Sequence, residues 1–148
     1  MGLEKYQQKR DFGKTPEPAG ETKGVGGNRF VVQKHQATHL HYDFRLEMEG
    51  VLKSWAVPKE PPAEKGPRRL AMMVDDHDLS YHNFEGVIEE GKYGAGRVEM
   101  WDRGTYEMLD RKDEKMVFNL DGDRLKGKYV LLQFKKAGEN AWLFFRAD

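Results

Sequence analysis

The chain has 148 residues, 38% apolar and 34% charged, with 25 basic and 25 acidic side chains and no cysteine. Such a length suits one domain with a real core, and the lack of cysteine excludes disulfides, iron–sulfur clusters and thiolate zinc sites, in keeping with an intracellular, cytoplasmic setting. No apolar run approaches the ~18 residues that span a bilayer, MGLEKYQQKR lacks a signal peptide's apolar stretch, and zero net charge argues against a coat protein held to nucleic acid by overall charge.

Residues 1–27 are rich in Gly, Pro, Lys and Glu and too poor in apolar side chains to form a core, which predicts a flexible N-terminal arm. From Arg29 onward, short apolar or alternating runs are broken by turn signals. They predict strands near 29–34, 40–48, 51–57, 69–74, 97–109, 115–120, 129–136 and 141–146. Glu49-Gly50 between two alternating runs reads as a hairpin turn, and further turns are expected at Asp121-Gly122 and around Gly138. KEPPAEKGPRR (59–69) reads as a proline-interrupted basic loop, and 78–85 has room for one helical turn. Many short strands and few helical periods predict a mainly β fold, an antiparallel barrel or a sandwich, over residues 28–148.

The stretch HLHYDFR (39–45) carries the chemistry. Leu40, Tyr42, Phe44 and Leu46 alternate with His39, His41, Asp43 and Arg45, so a strand would place the four polar side chains on one face, alternate Cα atoms roughly 6–7 Å apart. For any one of them, a solvated face is the simpler account. Two imidazoles, a carboxylate and a guanidinium together are an unusual solvent face. A turn could fold His35 back toward His41, and two His with one Asp make a facial ligand set with open positions, suited to Mn²⁺, Fe²⁺ or Zn²⁺. A guanidinium beside such a cation is costly unless an anion joins them, and phosphate matches its planar fork. Downstream, His77 and Tyr81 in VDDHDLSYHNF are four apart and could meet on one helical turn, either to donate to a phosphate oxygen or, for His77, to act as general acid. HxH followed by Glu also resembles a cupin metal site, but five residues separate His41 from Glu47 where that motif wants three or four.

KHQATHLHYDFRLE, SWAVPKEPP, RLAMMVDDHDLSY and FEGVIEEGKYGAGRVEMWDRGTYE together resemble the phosphoesterase domain of bacterial DNA ligase D, in order and over nearly the whole chain. The resemblance implies a small closed β-barrel with peripheral helices. It also implies a manganese-dependent 3′-end-healing activity in non-homologous end joining, with Zn²⁺ or another divalent ion as an alternative. That activity removes a 3′-terminal ribonucleoside and then the 3′-phosphate, leaving a 3′-OH. The implied metal ligands are His35, His41 and Asp43, with Arg45, His77 and Tyr81 around the metal and scissile phosphate. Lys59 and Arg69 match secondary phosphate-binding positions. Arg10, Asp11 and Glu17 match an N-terminal motif that supports the nuclease step, so the arm is expected to close over the site. Where the family often has Arg, this chain has His39, a weaker candidate for substrate contact. The implied partners are DNA or RNA/DNA primer-template 3′ ends and a DNA ligase acting in trans, with no membrane. The rival expectation from another class is a non-catalytic nucleic-acid-binding barrel.

Overall fold

The computed structural model describes residues 28–88 and 96–148. The expected arm, including Arg10, Asp11 and Glu17, lies outside the described residues. Nine strands form one antiparallel sheet: β1 (Arg29–Gln36), β2 (Leu40–Met48), β3 (Val51–Val57), β4 (Arg68–His77), β5 (Gly86–Ile88), β6 (Gly96–Lys112), β7 (Lys115–Gly122), β8 (Lys126–Gln133) and β9 (Ala141–Arg146). The order β1-β2-β3-β4-β9-β8-β7-β6 closes on itself through β1–β6 pairing, and short β5 flanks β6. Closure pairs every barrel strand on both sides and so removes exposed sheet edges. Among the described residues the non-strand elements are two short 3-10 turns, Leu79–Asn83 and Lys135–Ala137, and no helix is long and apolar enough to cross a membrane. The expected small closed barrel is thus the observed fold.

Local chemistry sets the joints. Glu49 and Gly50 both adopt positive φ, 56° and 82°, in the two-residue turn between β2 and β3, whose backbone twist matches that of the flanking strands. The reversal expected at Asp121-Gly122 falls just after it, because Gly122 ends β7. A Cβ there would stand 2.5 Å from the Phe30 ring and 2.6 Å from the Asp102 carboxylate. That carboxylate takes the turn's amides, accepting from Asp123 N (2.8 Å), Arg124 N (3.1 Å) and Leu125 N (2.8 Å), so the WDRG stretch is structural. β8 begins at Lys126 rather than Tyr129 and stops at Gln133. Lys and Gly hid its first residues, and past Leu132↔Lys115 its β7 partner has run out.

Alternation divides the β1–β2–β3 wall into two buried faces. Phe30, Val32, Tyr42, Phe44, Leu46, Trp55 and Val57 fill the barrel. Phe44 lies at the middle, its ring centroid 4.5 Å from Phe144, 6.0 Å from Phe118 and 6.2 Å from Trp55. The other phase points outward, yet Gln33, His35, Asp43, Arg45, Glu47 and Ser54 are buried too. The cover is the connection after β4. Gln33 Nε2 donates to the carbonyls of Tyr81 (2.8 Å) and Phe84 (3.1 Å), and Arg29 meets His82 Nε2 at 2.8 Å. Buried polar groups persist only when they are hydrogen-bonded or paired, so this outer face is where chemistry is to be sought.

Candidate metal and phosphate site

The short β1–β2 hairpin sets His35 directly opposite His41, with ring centroids 4.8 Å apart. Asp43, two residues along β2, points the same way. His35 Nδ1 lies 3.5 Å from Asp43 Oδ2 and His41 Nε2 lies 3.3 Å from Oδ1. One donor atom from each of the three falls within 4.8 Å of the others. Burial alone would raise the Asp43 carboxyl, but hydrogen bonds from His35 and His41 and the field of Arg45 outweigh it and hold the group well below the usual carboxylate range. The same hydrogen bond to Asp43 raises His41 above its ordinary value.

These residues fit a divalent cation. The donor set, two imidazole nitrogens and an ionised carboxylate gathered on one wall, is of the mixed N/O kind that divalent cations take. His41 Nδ1 sits 3.3 Å from the His39 carbonyl, so Nδ1 keeps its N–H, and Nε2, which here donates to Asp43, is the nitrogen that would give up its proton to a metal. His39 therefore enters through its backbone, while its side chain is exposed at the hairpin turn.

Arg45 is the hub beside this cluster and is 3% exposed. Its Nε donates to Gln33 Oε1 and its Nη1 to Ser54 Oγ, each at 2.7 Å. Nη1 also lies 3.0 Å from His77 Nδ1, and Nη2 3.5 Å from Asp43 Oδ2. A guanidinium can only donate, so His77 Nδ1 accepts and the imidazole proton is on Nε2. The Asp75 carbonyl at 3.2 Å would ask for the opposite tautomer. The shorter Arg45 contact decides, and it agrees with the direction of the His77 pKa, lowered first by burial and then by Arg45. The Tyr81 ring lies 4.9 Å from the Arg45 guanidinium and 4.9 Å from the His77 ring, and it stacks on Phe84 at 4.8 Å. Burial raises the Tyr81 hydroxyl, so it is a donor at neutral pH.

The structure thus brings together His35, His41, Asp43, Arg45, His77 and Tyr81 from β1, β2, β4 and the 3-10 turn. It leaves Lys59 exposed after β3 and turns Arg69 onto its own loop, where Nε donates to the Glu60 carbonyl at 2.8 Å. Two participants escaped the sequence analysis, Gln33 and Ser54, while Glu47 entered it only through the alternation and the cupin-like pattern. Gln33 stands in phase with His35, and that was its one available signal. Fully buried Glu47 anchors Arg29, accepting from its Nε at 2.7 Å, and Arg29 in turn holds His82.

Residues 33–133, which carry all six converging side chains, match the DNA Ligase D 3′-phosphoesterase domain family. The chain belongs to that family. It is 46% identical to the multifunctional non-homologous end joining protein LigD of Pseudomonas aeruginosa, over 98% of this chain and 18% of that protein. It is 45% identical to the multifunctional non-homologous end joining DNA repair protein LigD of Mycobacterium tuberculosis, over 97% of this chain and 19% of the other. The LigD of Mycolicibacterium smegmatis is 42% identical, over 97% and 20%. The chain therefore spans about a fifth of the length of these relatives, and the phosphoesterase family is the part it shares with them.

Proposed function

We propose that this protein is a metal-dependent 3′-phosphoesterase that trims nucleic-acid 3′ ends, removing a terminal ribonucleoside, a 3′-phosphate or both, to leave a 3′-OH for ligation in DNA double-strand-break repair. The observation that carries this reading is the burial of Arg45 between Asp43 and His77. A guanidinium that adjoins a cation-binding cluster and faces a neutral imidazole and a phenol is an arrangement completed by an anion. Family membership supports a phosphate ester as that anion.

His35, His41 and Asp43 would hold a divalent ion, Mn²⁺ by family resemblance, which would supply positive charge where charge develops on the phosphate. Gln33 and Ser54 take Nε and Nη1 of Arg45 and hold the fork, so Nη2, on the side of Asp43, is the nitrogen that meets a phosphate oxygen without reorganising. His77 donates a hydrogen bond from Nε2–H to a second phosphate oxygen, and its lowered pKa keeps it in this neutral donor form at pH 7. The Tyr81 hydroxyl orients the ester or assists proton transfer. Lys59 and Arg69 serve the phosphates further along the strand. Arg10, Asp11 and Glu17 serve the ribonuclease step, and a DNA ligase takes the 3′-OH. Within the nuclease step, the group that separates RNA from DNA is the 2′-OH.

The test uses a 5′-labelled primer–template ending in a 3′-phosphate and another ending in one ribonucleotide, each with EDTA, Mg²⁺, Mn²⁺ or Zn²⁺. Metal-dependent conversion to 3′-OH, abolished by His41→Ala, is expected. Full activity of His41→Ala with metal, or no product on either end, would overturn the reading.

A further inference from the structure

A carboxamide has an acceptor at one end and a two-proton donor at the other. Gln33, fully buried in β1 two residues before His35, uses the two ends in different directions. Oε1 accepts from Arg45 Nε at 2.7 Å, while Nε2 donates to the carbonyls of Tyr81 at 2.8 Å and Phe84 at 3.1 Å. The partners fix the orientation of the amide. Exchanging O and N would set a donor against the guanidinium and an acceptor against two carbonyls.

The turn that receives Gln33 has little strength of its own. It is five residues of 3-10 helix, with backbone bonds from Tyr81 N to the Asp78 carbonyl (3.0 Å) and from Phe84 N to the Tyr81 carbonyl (3.1 Å). Its flank is held by Arg29 on His82 (2.8 Å) and by Arg103 on Asn83 (2.9 Å). Among the described residues, Gln33 is the side chain that hydrogen-bonds both to this turn and to Arg45. Since the Tyr81 ring stands against the guanidinium, the seating of the turn decides where its hydroxyl points.

We propose that Gln33 is a positioning residue that locks the Arg45 guanidinium and the Tyr81-bearing turn to each other, so that the two meet a phosphate ligand as one rigid unit. Its kinetic consequence rests on the phosphoesterase reading above; its geometric consequence does not.

Two near-isosteric variants test it. Gln33→Met removes both ends of the link, and Gln33→Glu keeps the acceptor for Arg45 but removes the donor to the turn. On the 3′-phosphate substrate, Gln33→Met is expected to lower kcat by ~10- to 100-fold with KM within about threefold, because misplaced groups fail mainly in the transition state. Mn²⁺ affinity should stay within about twofold. Tyr81→Phe added to Gln33→Met should cost little more, since one acts through the other. Activity-free NMR of the metal-free protein gives an independent readout. The Arg45 Nε–H signal should persist in Gln33→Glu and shift or exchange away in Gln33→Met, while the Tyr81 and Phe84 amides move in both. A Gln33→Met kcat within twofold of wild type per folded molecule overturns the proposal, as does a loss that multiplies in full with that of Tyr81→Phe. If wild type itself heals no 3′ end, the phosphoesterase reading falls while the NMR result still decides whether Gln33 couples the two groups.

Discussion

Arg45 donates to a bare Nδ1 of His77 across 3.0 Å, so a buried cation dictates the protonation state of the imidazole beside it. Burial and then the field of Arg45 push His77 below its ordinary 6.5. The unfolded chain therefore takes up this proton at a higher pH than the folded one. Stability from His77 is complete above about pH 6.5 and declines as pH falls through the window beneath it. A ¹³C-detected histidine titration is expected to place the His77 midpoint below that of an unfolded peptide. A midpoint above 6.5 would mean that Nδ1 carries the proton toward Asp75 and that the donor role of Nε2 is misassigned.

Replacing Arg45 by Lys keeps the charge and loses the geometry. One ammonium cannot reach Gln33 Oε1, Ser54 Oγ and His77 Nδ1 together, and leaving such buried acceptors bare costs about 1–3 kcal/mol each. 3′-Phosphatase activity of Arg45→Lys is expected to fall by ~100-fold or more, close to that of Arg45→Ala. Mn²⁺ binding by calorimetry should not weaken in Arg45→Ala, because a positive charge 3.5 Å from a ligand carboxylate has been removed. A tenfold loss of metal affinity would show that the guanidinium holds Asp43 in place.

How much of this was legible in the sequence follows from physical range. The strands could be read because period-two alternation is local, and HLHYDFR exposed Asp43 and Arg45 because one strand carries both. His35 and His41 needed only a hairpin to meet, and the β1–β2 register supplied it. That the polar face is buried rather than solvated was not legible. Burial depends on the Leu79–Asn83 turn folding back over the wall, a contact between residues some fifty positions apart. Gln33 and Ser54, 12 and 9 positions from Arg45, look like ordinary strand polars until the strand register sets Arg45 between them. β5, three residues long, and the last residues of β4, Asp75 to His77, were missed because neither has the apolar periodicity of a strand.

Asp43→Asn separates the carboxylate's two duties. Its hydrogen bond is the largest cause of the raised His41 pKa, outweighing burial, which lowers it. In the metal-free wild type, a raised pKa gives stability that is complete below about pH 6.5 and lost as pH rises through the folded value. Asp43→Asn should bring the His41 midpoint down to 6.5 or below by NMR. Mn²⁺ affinity should fall by more than the ~10- to 100-fold typical of residues that merely support a ligand. An unchanged His41 midpoint would mean the pair is not formed in solution.

Phe44 and Asp43 are neighbours in sequence on opposite faces of one strand, which allows stability and site to be tested apart. Phe44 is fully buried among Phe30, Trp55, Phe118 and Phe144, and truncating such a ring leaves a cavity that this closed barrel cannot readily collapse. Phe44→Ala is expected to cost about 3–5 kcal/mol in urea unfolding. Below its midpoint the variant should still bind one Mn²⁺, because His35, His41 and Asp43 are fixed by backbone register on the outer wall. A loss under 1 kcal/mol would contradict the packing at the centre of the barrel. Loss of metal binding by a variant that remains folded would mean that the site takes its geometry from the packed interior as well as from the hairpin.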